Sequence, residues 1–232
     1  MKTNFIFDFL NNFLDFILPR YCLFCENGLD KTEQYLCKQC SLQLNKCNFN
    51  YSHEIFKKYF ESSKIISELN SLYIFTKDTP IQSLLHSLKY HSNYRIGYYL
   101  GKLITVENSN YFANEKIDFI IPVPLHRVKY TERGYNQSHY IALEISKITS
   151  IPLDEKKVKR IKNTESQTRL NHIERKDNVK DAFKYCGKNS LEGKNVLLVD
   201  DIITTGSTII ECARVLKENG AGKIIAFSAA LA

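Results

Sequence analysis

Hydrophobic positions change their spacing abruptly at residue 200. Val196, Leu197, Leu198 and Val199 form an uninterrupted apolar run, the pattern of a strand buried on both faces. Beyond it Ile209, Ile210, Ala213, Val215 and Leu216 recur at helical spacing up to Gly220, which predicts an amphipathic helix with a glycine stop. The last run, KIIAFSAALA at 223–232, reads as a buried strand beside 196–199. Upstream, Ile117–Val123 is another buried strand, a helix opens near Gln137, and VKRI at 158–161 is a short strand candidate. Residues 117–232 therefore read strand–helix–strand–loop–strand–helix–strand. That order predicts an α/β fold with a parallel, doubly wound sheet flanked by helices.

Nearer the N-terminus, LYIFT at 72–76 is a predicted strand. Thr79–Tyr90 is a predicted helix with Ile81, Leu84, Leu85 and Leu88 on one face, and a second helix falls around 95–106. Residues 48–70 carry no sharp pattern. Residues 3–18, TNFIFDFLNNFLDFIL, place Asp8, Asn11, Asn12 and Asp15 in one polar stripe and apolar residues elsewhere, which predicts an amphipathic helix stopped at Pro19. Its wide apolar face needs cover. Docking on the rest of the chain is one reading. Peripheral contact with a membrane surface is the other, although the basic residues usual in such helices are lacking.

Cysteine spacing adds a separate module. Cys22-x-x-Cys25 and Cys37-x-x-Cys40 are two knuckles at a separation that can close a tetrahedral four-thiolate zinc site, a zinc ribbon. With all four positions filled by protein, that zinc is structural. The organisation expected is an amphipathic helix over 1–20, a ribbon over 21–47 and an α/β domain over 70–232. Seven cysteines, an odd number, read as metal ligands plus free thiols in a reducing, cytoplasmic setting. No secretory leader and no membrane-length apolar run is expected.

The junction at residue 200 carries the chemistry. Thr204, Thr205, Gly206, Ser207 and Thr208 sit where a strand turns into a helix. Unpaired helix N–H groups, hydroxyl donors and a glycine suit a phosphate there. Asp200 and Asp201 would repel phosphate, but can accept from a sugar diol or hold Mg²⁺ through water. Diol and phosphate on one turn describe a ribose 5-phosphate. A second element, after Pro122 and Pro124, places Arg127, Lys129 and Arg133 in a basic loop before the helix at Gln137, suited to pyrophosphate or to a DNA backbone. The net charge is +7, and residues 155–184 supply ten Lys/Arg against five Asp/Glu. Such a segment could cover a polyphosphate or follow a nucleic-acid backbone, or be an ordinary solvated face. Asn171-x-x-Glu174 within it reads as a capping box opening a short helix.

VLLVDDIITTGST resembles the phosphoribosyl pyrophosphate (PRPP) signature of type I phosphoribosyltransferases. The resemblance implies that Asp200 and Asp201 bind the ribose hydroxyls and that Thr204–Thr208 bind the 5′-phosphate, with Mg²⁺ accompanying PRPP. Many purine-using members carry an Asp at the position of Thr204 that acts as a general acid/base; threonine leaves that role vacant. Further features widen the likeness: the two Cys pairs, Leu88-Lys89-Tyr90, Pro122-Val123-Pro124-Leu125-His126, Arg133-Gly134-Tyr135-Asn136-Gln137, then Gln167, Arg175, Asn178, Ala182 and Phe183. In this order they resemble the ComF family of bacterial competence proteins, with Tyr135 standing where Phe is expected. The resemblance spans about residues 3–231. It implies a zinc ribbon joined to a type I phosphoribosyltransferase-like domain acting in DNA uptake during natural transformation, at the cytoplasmic side of the inner membrane.

Two functions follow as expectations. In the first, the chain binds PRPP or a related ribose phosphate and holds single-stranded DNA on its basic surface, alongside other DNA-uptake proteins. In the second, it is an active phosphoribosyltransferase that moves phosphoribose from PRPP to a nitrogen acceptor.

Overall fold

The computed structural model describes residues 19–163 and 179–232. The helix predicted over 3–18, the Asn171–Glu174 capping box and the positions Gln167, Arg175 and Asn178 lie outside the described residues. In chain order the elements are a short helix α1 (Lys38–Ser41), α2 (Phe49–Tyr59), β1 (Glu68–Ile74), α3 (Pro80–Tyr90), α4 (Arg95–Glu107), α5 (Ser109–Asn114), β2 (Phe119–Pro122), α6 (Arg127–Arg133), α7 (Gln137–Thr149), β3 (Val158–Arg160), β4 (Phe183–Tyr185), β5 (Val196–Ile203), α8 (Ser207–Glu218) and β6 (Ile224–Leu231).

The main sheet is parallel throughout, with strand order β1-β6-β5-β2. Every residue of β6 is buried, as its continuous apolar run requires. Side chains of β5 alternate between two cores. Leu197 and Val199 join Ile225, Phe227 and helices α3, α4 and α7 on one face. Val196 and Leu198 join Ile224, Ala226 and α8 on the other. The period-two geometry of a strand makes this division, and it confirms the doubly wound arrangement expected from the pattern.

Four expectations need correction. First, β1 begins at Glu68, four residues before the apolar LYIFT run. Its polar Ser71 is accommodated because Ser228 of β6, fully buried, donates to the Ser71 hydroxyl at 3.0 Å. Second, α2 occupies a stretch without a clear apolar period and is opened by Asn48, whose side chain accepts from Tyr51 N–H at 2.9 Å. Third, β3 leaves the main sheet and pairs antiparallel with β4 in a separate two-stranded sheet; a three-residue strand gives no sequence sign of its partner. Fourth, the basic stretch expected as a loop is helix α6, stopped by Gly134 in the left-handed conformation, φ 78°.

The N-terminal knuckles dock on the main body. Cys22, Leu36 and Cys40 belong to the same apolar cluster as Leu84, Leu88, Leu100 and Phe227. Lys46 forms an antiparallel bridge with Tyr73 of β1, and Cys47 N–H donates to Leu72 O at 3.0 Å. The Tyr35 and Tyr99 rings meet edge-on at 5.2 Å. None of the helices among the described residues is long and apolar enough to cross a membrane.

Helices α4 and α7 approach closely because Gly97 and Gly101 leave room. A Cβ at Gly97 would stand 2.6 Å from Tyr140 Cβ, and one at Gly101 would stand 2.5 Å from Ile141 O. The contact fixes α7, whose first turn carries the side chain that meets Asp200. Gly101→Val should therefore destabilise the fold by about 1–3 kcal/mol through overpacking, read as a lower urea midpoint with an unchanged slope.

Candidate functional site

Asp200 and Asp201 lie in the last residues of β5, at the carboxyl end of the parallel sheet, where open α/β sheets hold ligands. Their backbone alternates, so the two carboxylates leave the strand in different directions. Ser138 Oγ, from the first turn of α7, donates to Asp200 Oδ1 at 2.8 Å, and Asp201 N–H donates to the same oxygen at 2.9 Å. Asp201 is buried, and its Oδ2 lies 2.7 Å from Lys89 Nζ at the end of α3. Burial, followed by the negative charge of Asp201, pushes the Asp200 carboxyl up to about 7 against the opposing pull of Ser138, the Asp201 amide and Lys89. A carboxylate pair enclosed this way attracts any group that offers hydroxyl donors or positive charge.

The turn after β5 has the form of an anion cradle. Gly206 adopts φ 72° and caps α8. A cavity of about 40 Å³ opens between Asp200, Thr204, Gly206, Ser207 and Thr208. Thr205 and Ser207 share a hydrogen bond, Oγ1 to Oγ 3.1 Å. The α8 N-terminus supplies unpaired N–H groups and the positive end of its dipole. Gly206 is required for two reasons: its backbone is left-handed, and a Cβ there would stand 2.3 Å from the fully buried Phe60 ring.

On the other side of the carboxylates lies a cleft of about 140 Å³ whose walls include Lys129, Arg133, Arg160, Ser138 and Thr208. Lys129 and Arg133 are one helical turn apart on α6, so both face the cleft, whereas Arg127 is exposed and does not line it. Burial first, then the charges of Arg160 and Arg133, hold the Lys129 ammonium below its ordinary value. Burial also lowers Arg160, with Asp200 acting against it. Cations crowded and partly desolvated to this degree gain from a bound polyanion.

The segment Arg133–Gln137 fastens this arrangement. Arg133 donates to Gln137 Oε1 at 3.0 Å. The buried Tyr135 hydroxyl donates to Leu88 O beside Lys89. Asn136 donates to Val123 O at 3.0 Å. Ends of α3, β2 and α7 are thus pinned around the carboxylates. The Tyr135 hydroxyl finds a partner that phenylalanine would lack.

Besides Ser138, the sequence does not mark two cations of the cleft region as ligands. Arg160 belongs to a three-residue strand whose pattern carries no chemistry, and Lys89 looks like an ordinary charged end of an amphipathic helix. The Leu88-Lys89-Tyr90 motif was the one sign of Lys89.

The four N-terminal thiols converge as their spacing predicts. The Sγ atoms of Cys22, Cys25, Cys37 and Cys40 all lie within 4.8 Å of one another, and Cys25 to Cys37 is 3.7 Å. A tetrahedral four-thiolate site with metal–sulfur bonds of about 2.3 Å has sulfur–sulfur edges of roughly 3.8 Å, so the donor set fits a metal. Burial would raise Cys22, but N–H groups of Cys25, Cys37 and Phe24 outweigh it and hold the thiol down at about 6. Cys47 and Cys186 are not in the cluster. Cys212 is buried on α8 and raised by burial.

Comparison with known proteins bears on the class and then on the family. A family profile described as "Phosphoribosyl transferase domain" matches residues 138–230, from the first turn of α7 through β6. The chain is 34% identical over 149 residues to Competence protein F of Haemophilus influenzae, covering 62% of this chain and 65% of that protein, just under two thirds of its length. It is 28% identical over 206 residues to DNA utilization protein YhgH of Escherichia coli K12, covering 88% of this chain and 86% of that protein. With Competence protein ComFC of Bacillus subtilis it shares 24% identity over 207 residues, covering 87% and 79%. Fold and site define a phosphoribosyltransferase-domain protein that carries an N-terminal four-cysteine cluster. Over most of its length it is similar to proteins named for competence and for DNA utilization.

The raised Asp200 carboxyl has a measurable consequence for the ligand-free protein. An unfolded Asp titrates near 3.9, whereas in the fold this group titrates near 7. The native state therefore binds the extra proton between those values, and stability falls as pH rises from about 4 to about 7 and then levels. Asp200→Asn should flatten that slope. At pH 8 the variant should be the more stable protein by a few kcal/mol, and near pH 4 the two should converge. Urea midpoints measured across this range check it.

Proposed function

We propose that the chain binds PRPP or a related ribose 5-phosphate at the end of β5. Asp200 and Asp201 take the ribose hydroxyls, and the Thr204–Thr208 turn takes the 5′-phosphate. Lys129, Arg133 and Arg160 take the pyrophosphate, with the exposed Arg127 left to a longer polyanion. The observation that carries this reading is the position of the carboxylate pair, between a cradle sized for one phosphate and a cleft walled by three cations. Mg²⁺ supplies charge neutralisation when it accompanies PRPP, and Asp200 and Asp201 could hold it through water.

The metal of the four-cysteine site is proposed to be Zn²⁺, since a complete thiolate set favours it. The role proposed for the whole is that of the family: handling single-stranded DNA during uptake, in the cytoplasm, where partner proteins and the membrane face are within reach. Basic residues around the cleft and the many tyrosines support a polyanion with bases attached. Turnover is the second reading. It is favoured by the three-cation wall, which could stabilise departing pyrophosphate, although Thr204 itself offers no acid or base.

Calorimetric titration with Mg²⁺–PRPP should give saturable binding that Asp201→Ala abolishes. Arg160→Gln should weaken it about tenfold, the loss of one charge-assisted hydrogen bond. Unchanged affinity in Asp201→Ala would refute the ribose assignment. Pyrophosphate release in the presence of nitrogen acceptors separates turnover from binding. The purified chain should also hold one equivalent of zinc. Its removal by a chelator should lower the thermal midpoint of the whole fold, because Cys22 and Cys40 are part of the main core.

A further inference from the structure

Helix α3 connects the phosphoribosyl cleft to a second concavity. Tyr90, at the helix end next to Lys89, is 63% exposed. The Arg133 guanidinium, which lines the cleft, stands over this ring at 5.7 Å from its centroid. One turn back, His86 lies 4.8 Å from Tyr90, ring centre to ring centre, and 5.4 Å from His91. His86 and His91 then line a groove of about 440 Å³ between α3 and the first cysteine knuckle. One wall is apolar, Leu23 and Phe24 from inside Cys22-x-x-Cys25. The other offers the polar edges of Gln82 and Ser83. Among the described residues Asp78 is the only carboxylate lining it. Rings, guanidinium and groove form an unbroken succession from the carboxylate pair to the metal knuckle.

Each part suits a nucleobase. An exposed ring with a cation over it offers a stacking face on its open side. An amphipathic groove with an apolar wall and amide, hydroxyl and imidazole edges can take a flat heterocycle, and its volume falls within the roughly 300–1,000 Å³ of small-ligand sites. A free phosphate or a simple sugar phosphate would use none of this. A chain of phosphates with bases attached would use both halves: cations for the backbone, rings for the bases.

We infer that Tyr90, His86, His91 and the knuckle-lined groove are the base-holding half of the site, across which single-stranded nucleic acid lays successive bases while its backbone is held at the cationic cleft. The inference rests on the proposed DNA-handling role and adds to it the residues that contact bases. It also gives the cysteine module a direct part in the binding surface, through Leu23 and Phe24, besides support of the fold.

The test compares an oligothymidylate with an abasic deoxyribose-phosphate strand of the same length, by fluorescence anisotropy on the zinc-loaded full chain. The wild type should bind the oligothymidylate more tightly. Tyr90→Ala should weaken that binding about tenfold and leave the abasic strand unaffected, and His86→Ala should act in the same sense. Tyr90→Phe should retain wild-type affinity. The salt slope should be the same in all variants, because stacking releases no counterions. PRPP titration and the thermal midpoint serve as controls for folding. Equal affinity of the two strands for the wild type, or equal losses on both strands in Tyr90→Ala, overturns the base-holding assignment and leaves the DNA-handling role standing. A wild type that binds neither strand, with PRPP binding intact, overturns both.

Discussion

Two carboxylates on adjacent residues at the end of a buried strand are costly to desolvate, and the surrounding structure is arranged to offset that cost. Asp201 has Lys89 at 2.7 Å. Asp200 has the Ser138 hydroxyl and a backbone amide, and Arg160 nearby contributes positive potential. These partners reduce the penalty without removing it, which is why the Asp200 carboxyl stays raised. A group left under-compensated in the free protein gains when a sugar diol or a cation arrives. A carboxyl perturbed in this way at a strand end is a candidate ligand site, and in the free protein it costs stability.

Maintaining that pair requires that several distant segments meet. Arg133–Gln137 does this by fastening carbonyls of α3 and of the residue after β2, while α7 brings Ser138 to Asp200. The close α4–α7 contact at Gly97 and Gly101 sets α7 against the sheet. On the opposite face, Phe60 fills the space under Gly206, so the Thr204–Thr208 turn leans on the residue that follows α2. The site is thus supported from both cores of the sheet. The four-cysteine module shares one of these cores with α3, which carries Lys89, Tyr90 and His86.

Some of this was legible without coordinates because it depends on local rules. A continuous apolar run marks a buried strand, a small hydroxyl-rich turn before an amphipathic helix marks an anion cradle, and two Cys-x-x-Cys pairs mark a metal site. Each is encoded by neighbours within about a dozen residues. For that reason β5, the turn, α8, β6, α3, α4 and the thiol cluster all fall where the sequence pattern places them. The α2 stretch escaped detection because its aromatic residues follow no clear period. The helical form of α6 was hidden by a run of charges that reads equally well as a loop.

What the sequence by itself determined is the chemistry available: adjacent carboxylates on a parallel strand, a phosphate-ready turn, basic residues after Pro124 and a four-thiolate set. What only the tertiary structure decided is which of the cations matter and what they face. Lys129 and Arg133 enter the cleft and Arg127 does not, because α6 is a helix and only one of its faces lines the cleft. Arg160 and Lys89 reach the carboxylates from strands and helices 40 and more residues away, and Tyr90 meets Arg133 across the same gap. Such contacts follow from long-range packing, whose energetics are shared among many small apolar contacts and leave no mark at the positions they bring together.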